Sequence, residues 1–159
     1  MKFAILPMVF ALAYMGITLQ AGQLAGAVPG ASSHGQMDNV AYAVAQQAEL
    51  YGARCIEAAI AAPGLVSDNI PVTLPTGVAA PTSAGCMTRA NALGGRDVYG
   101  WIDAPSGVPG QILVDSEFNT AWHRVFVQGS AVNLVTGQGY VVPSNIPAGT
   151  VVDWIKTNP

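Results

Sequence analysis

The sequence predicts an α+β protein: an N-terminal membrane helix, then an amphipathic helix packed on a small antiparallel β-sheet. Three observations carry that expectation. An uncharged apolar run fills Phe3–Leu19 behind Lys2. An Ala-rich stretch, Met37–Ala62, repeats apolar residues at spacings of three and four. From Asp97 onward the chain breaks into short runs rich in Val, Ile and aromatics, separated by Gly-containing turns. Composition sets the frame. Of 159 residues, 51% are hydrophobic and only 9% charged, against roughly 25% charged in an average soluble domain. A disordered chain needs the reverse balance. A net charge of −3 with 6 Lys+Arg leaves few cations to neutralise phosphates, so no nucleic-acid partner is expected.

The N-terminal run admits two readings. A membrane-spanning helix needs about 20 apolar residues, with ~17–25 tolerated. Phe3–Leu19 meets that length, residues up to Ala27 extend it, and Lys2 would stay on the cytoplasmic side. A cleaved signal peptide would instead use Ala25-Gly26-Ala27 as its processing site. The long apolar core favours the anchor, and Pro7 and Gly16 do not defeat it. Both readings export the remainder. The expected organisation is therefore an anchor at 1–27, a linker at 28–36 and a periplasmic α+β domain at 37–159, the whole being a single-pass inner-membrane protein.

Val28–Gln36, rich in Pro, Gly and Ser, reads as the linker, with His34 exposed in it. Met37–Ala62 reads as a helix capped by Asp38 and ended by Pro63-Gly64. Met37, Ala41, Val44, Ala48, Tyr51, Cys55, Ala58 and Ala62 form the stripe that should face the sheet. Leu65–Arg96, broken by Pro and Gly, reads as a long loop tied down at Cys86, with a short edge strand at Ile70–Leu74. Cys55 and Cys86 are the only cysteines. In an exported chain an even pair suggests one disulfide; two buried thiols are the alternative.

Val98–Ile102, Ile112–Val114, Trp122–Gln128, Ala131–Val135 and Gly139–Val142 read as strands. Pro109-Gly110, Gln128-Gly129 and Thr136-Gly137 lie in the turns between them, which favours antiparallel hairpins. Thr150–Ile155 reads as a last strand or one helical turn. Trp101 and Trp122 lie within strand runs and should fill the core. Trp154, beside Lys156, is a candidate interface residue.

Chemistry is sparsely provided for. There is no phosphate-cradling glycine motif, no G-x-S-x-G elbow and no metal-ligand spacing around His34 or His123. Asp115, Glu117 and His123 are the best catalytic constellation, but no nucleophile is singled out. The reading favoured here is a polar turn followed by a strand residue, and no catalytic residue, cofactor or metal is expected.

The order of parts resembles type IV pilins and pilin-like proteins. More narrowly, the chain resembles the small PilM family encoded with plasmid-type thin (type IVB) pili. The anchor at Phe3–Leu19, the strand VYGWI at Val98–Ile102 and the ending YVVPSNIPAGTVV at Tyr140–Val152 carry the resemblance. It implies a short inner-membrane protein of the pilus assembly base, whose partners are other pilus-assembly proteins or pilins. The end that holds Tyr140 and Trp154 would face those partners. Pilins that are processed carry a Gly before the apolar run and a Glu soon after it begins. Here Lys2-Phe3-Ala4 lacks the Gly, and the first Glu is Glu49. That departure argues for an assembly-base component over a filament subunit. An exported minor pilin or adhesin-like binding domain, with its signal peptide cleaved, is the alternative.

Overall fold

A computed structural model of the chain describes residues 33–81 and 83–157. The run Phe3–Leu19 and the expected cleavage site lie outside those residues. Among the described residues, no helix is long and apolar enough to cross a membrane. The chain divides into two units, Met1–Val40 and Ala41–Pro159. The architecture that follows is that of the second, apart from residues 33–40 of its long helix, which belong to the first.

The long helix α1 spans Ser33–Ala61. It therefore begins inside the stretch expected to be linker, and Asp38 lies within it instead of capping it. Ala, Gln and Glu lose little side-chain freedom in a helix, which favours the extension. The helix stops just before Pro63-Gly64, where Gly64 takes a φ of 77°. Arg96 closes this end. Its guanidinium donates to the carbonyls of Ala59 (3.1 Å), Ala62 (2.9 Å) and Leu65 (3.0 Å). The cation thus meets the negative end of the helix and satisfies carbonyls that the helix cannot.

Six strands form one antiparallel sheet: β1 Gly85–Ala90, β2 Arg96–Asp103, β3 Trp122–Val127, β4 Ser130–Asn133, β5 Gly139–Val141 and β6 Thr150–Thr157. Their spatial order is β1-β2-β6-β3-β4-β5. The last strand inserts between the two hairpin groups, pairing Tyr99 with Trp154 on one side and Trp122 with Asp153 on the other. A short helix α2, Val108–Asp115, connects β2 to β3.

α1 packs on one sheet face. Its buried seam is Ala41, Ala45, Ala48, Tyr51, Cys55 and Ala59, set against Val98 and Ile102 of β2, Trp122 of β3, Val151 of β6 and Val108 and Ile112 of α2. The expected stripe is right at Ala41, Ala48, Tyr51 and Cys55. Val44 and Ala58 are half-buried flanks, and Ala45 and Ala59 take the central places. The smallest side chains face the sheet because the backbones approach closely. A Cβ on Gly100 would lie 3.0 Å from the Cys55 Cβ and 3.3 Å from the Gly52 Cα. Cys55 and Cys86 form a disulfide, with Cα atoms 5.5 Å apart, that ties α1 to β1.

The opposite face carries a second core: Met87, Tyr99, Trp101, Val125, Ala131 and Val152, with Trp154 packed against it. Residues 142–149 return over this face and bury Val142 and Ile146 in it. The Gly149 N–H donates to the Val125 carbonyl at 2.8 Å. Trp101 and Trp122 are both buried.

Three elements differ from expectation. Ile112–Val114 is helical. Pro109 sits in the first turn of α2, where its fixed φ and missing N–H suit a helix start, and Gly107 (φ 92°) turns the chain into it. Gly85–Ala90 is an edge strand, not loop. Its mixed sequence, GCMTRA, shows no clean alternation, and Gly85 is required because a Cβ there would collide with the Trp101 ring. Ile70–Leu74 forms no strand. The Ile70 N–H reaches the Cys86 carbonyl (2.8 Å), and Ser67 makes an isolated bridge to Thr88, but Pro71 cannot continue the ladder.

Candidate functional site

The face opposite α1 is only partly roofed by residues 142–149. Toward the end of β6 it opens into a groove of about 480 Å³, lined by Asn119, Thr120, His123, Tyr140, Trp154 and Lys156 among others. Strand alternation puts these side chains together. His123 on β3, Tyr140 on β5 and Trp154 and Lys156 on β6 share one face, and the register brings them side by side.

The floor is aromatic. Trp154 stacks on Tyr99 with ring centroids 5.3 Å apart and meets Tyr140 edge-on at 5.7 Å. His123 lies 5.2 Å from Trp154 and 5.4 Å from Tyr140. The Lys156 ammonium sits 5.1 Å from the Trp154 ring centroid, a cation–π contact. Burial, reinforced by the neighbouring Asp97, pushes the Tyr99 hydroxyl well above its ordinary range. Tyr140 and Trp154, both singled out from the sequence, are thus brought together. Both are half-buried, and Trp154 also packs against the second core.

His123 is fixed by its neighbours. Its Nδ1–H donates to the Ala121 carbonyl at 2.8 Å, and its Nε2 accepts from the Asn133 amide at 3.3 Å. Those roles require the neutral imidazole. Burial lowers the ring's proton affinity, partly offset by the Ala121 bond. The Asp115 carboxylate turns elsewhere, accepting from Gln111 (2.8 Å) and Gln46 (3.1 Å). Glu117 is exposed in a turn with a φ of 52°. The contacts of His123 and Asp115 therefore do not bring the pair weighed from the sequence together. Among the described residues, no group of three His, Cys, Asp or Glu side chains could hold a metal ion.

Asn133 is the residue that sequence reasoning missed. Its Oδ1 accepts from the Val135 and Thr136 N–H groups (3.0 and 2.9 Å), while its Nδ2 donates to the Thr120 carbonyl (2.7 Å). It thereby ties the β4–β5 turn to the loop that precedes β3. The only sequence signal was an Asn ahead of Thr136-Gly137, a common turn arrangement.

No family model, curated protein or solved structure matches the chain.

Proposed function

We propose that the chain is a non-catalytic, membrane-anchored structural component of type IV (thin) pilus biogenesis, standing at its basal assembly. The observation that carries this reading is one long helix laid on one antiparallel sheet, the pilin-like plan, in a chain whose N-terminus is an uncharged apolar run. Anchored at Phe3–Leu19 in the inner membrane, the domain would stand in the periplasm. The Cys55–Cys86 disulfide suits that oxidising compartment. Its partners would be other pilus-assembly proteins or pilins, met through protein contacts. It uses no cofactor and binds no nucleic acid. Few charges outside the core leave a surface of the kind that interface cores have.

Deletion and complementation in a host that makes thin pili test the proposal. Loss of pili on deletion, restored by the intact chain but not by Tyr140→Ala, is the expected result. Normal piliation without the chain would overturn it.

The groove beside Trp154 favours a second reading, an exported minor pilin or adhesin-like binding domain with a cleaved signal peptide. Mass determination of the mature protein separates the two. The anchored reading expects the apolar run to be retained in the membrane fraction, whereas a soluble product beginning at Val28 supports the binding domain.

A further inference from the structure

We propose that the groove beside Trp154 binds a pyranose ring that carries a carboxylate. The inference rests on the groove itself and is independent of the pilus reading.

Charge comes first. The ion pairs among the described residues are Arg54–Glu57 and Arg89–Asp68. Arg96 is committed to the end of α1, and Arg124 lies over the Phe126 ring. Lys156 is directly opposite Asp97 in the β2–β6 register. It nevertheless makes no ion pair with that carboxylate, and its ammonium lies over Trp154 at the groove. The lining contains no carboxylate. The site therefore offers one positive charge to an occupant.

Shape and hydrogen bonding narrow the occupant further. About 480 Å³ is far more than a bare small anion fills, and it lies within the usual range for small-ligand sites. The Tyr140 and Trp154 rings stand at 86° to one another, so the groove wall presents aromatic surface in two orientations to C–H groups. At the rim, Asn119 accepts from the Ala121 N–H through Oδ1 (2.9 Å), and its amide nitrogen remains a donor beside the Thr120 hydroxyl. An apolar ligand would make no use of these groups or of Lys156. A free amino acid would bring an ammonium with no carboxylate to receive it. A phosphate polymer would need several cations. A sugar ring with one carboxylate satisfies each part: hydroxyls to Asn119 and Thr120, C–H faces to the aromatics and the carboxylate to Lys156.

Carboxylated sugars occur both in cell-wall glycan and in acidic exopolysaccharide, and the probes distinguish the two. The full-length chain in detergent micelles is titrated with N-acetylmuramic acid, galacturonic acid, neutral N-acetylglucosamine and acetate, following the Trp154 indole N–H resonance. The expected result is a saturable shift with at least one acidic sugar; which one shifts it names the source. Lys156→Gln, at an exposed rim position, should keep the remaining amide spectrum and weaken that binding about tenfold, the loss of one charge-assisted hydrogen bond. Equal affinity for N-acetylglucosamine, the same shifts from acetate, unchanged affinity in Lys156→Gln, or no shift with either acid would each overturn the proposal.

Discussion

Asp153 and Gly52 occupy one another's space. A Cβ on Gly52 would lie 2.7 Å from the Asp153 Oδ2 and 3.0 Å from its Cβ. The carboxylate of the central strand β6 therefore fits beneath α1 only because the helix has no side chain there. Gly52→Ala would gain about 1 kcal/mol of helix propensity. It would also force apart a packed contact, at ~1–3 kcal/mol. The thermal midpoint should fall, and adding Asp153→Ala should recover part of the loss. A higher midpoint in Gly52→Ala would show that the helix and sheet stand farther apart.

Asp153 also makes stability depend on pH. Burial raises its carboxyl to about 6, and its Oδ1 has no hydrogen-bond partner among the described residues. The folded state holds this proton more tightly than the unfolded chain does. The contribution is thus fully present below the ordinary value of 3.8 and is lost as pH rises through about 6, at most about 3 kcal/mol. Glu49, raised by burial and then by Asp115, acts in the same direction. His123, lowered by burial, acts oppositely. Comparing urea unfolding of Asp153→Asn with the parent chain across that window isolates the one group. The variant should gain stability relative to the parent as pH rises, and a flat difference would refute the assignment.

Arg96 should be worth about 2 kcal/mol, the range for hydrogen bonds from a charged donor. Arg96→Met keeps the aliphatic stem and removes the guanidinium from the carbonyls of Ala59, Ala62 and Leu65. Faster hydrogen exchange at the Leu65 amide, which donates to the Ala62 carbonyl at 3.2 Å, should accompany a lower unfolding midpoint. An unchanged midpoint would mean that water replaces the guanidinium without loss.

What the sequence made legible follows from which signals are local. The α1 seam, the Val98–Ile102 strand and the Gln128-Gly129 turn rest on periodicity and turn chemistry within a few residues. The insertion of β6 between β2 and β3 does not, since nothing in Thr150–Thr157 states which strands it will join. Pro109 read as part of a turn, and it proves to start a helix, into which Gly107 turns the chain with a φ of 92°. The groove was half legible. Tyr140 and Trp154 stood out as aromatics near the end of the chain, but Asn133 and His123 join them through strand register. The role of Gly52 and Gly100 appears only where the two backbones meet.

The Cys55–Cys86 bond closes a loop with a sequence separation of 31. A loop of that size should stabilise the domain by ~3–4 kcal/mol in the chain-entropy model. Both residues are buried, so reductant should act mainly on unfolded molecules. Alkylation under denaturing, non-reducing conditions should find no free thiol in the purified protein. Replacing both cysteines with Ala should lower the unfolding midpoint, and two reactive thiols in the non-reduced chain would refute the bond.

The rotation of α1 can be read from two neighbouring positions. Ala45 is fully buried against the sheet, whereas Val44 is half-buried at the flank. An aspartate at position 45 would put a carboxylate into the core and overpack the close seam. The cost is about 3–5 kcal/mol for an uncompensated buried charge, a large share of a small domain's whole stability. At position 44 the same carboxylate can turn toward water, and the loss is mainly that of the Val contacts, about 1–2 kcal/mol. Ala45→Asp should therefore abolish the cooperative thermal transition while Val44→Asp keeps a lowered one. The reverse order would place Val44 at the centre of the seam and rotate the helix by one residue, which the close approach of Gly52 to Asp153 does not allow.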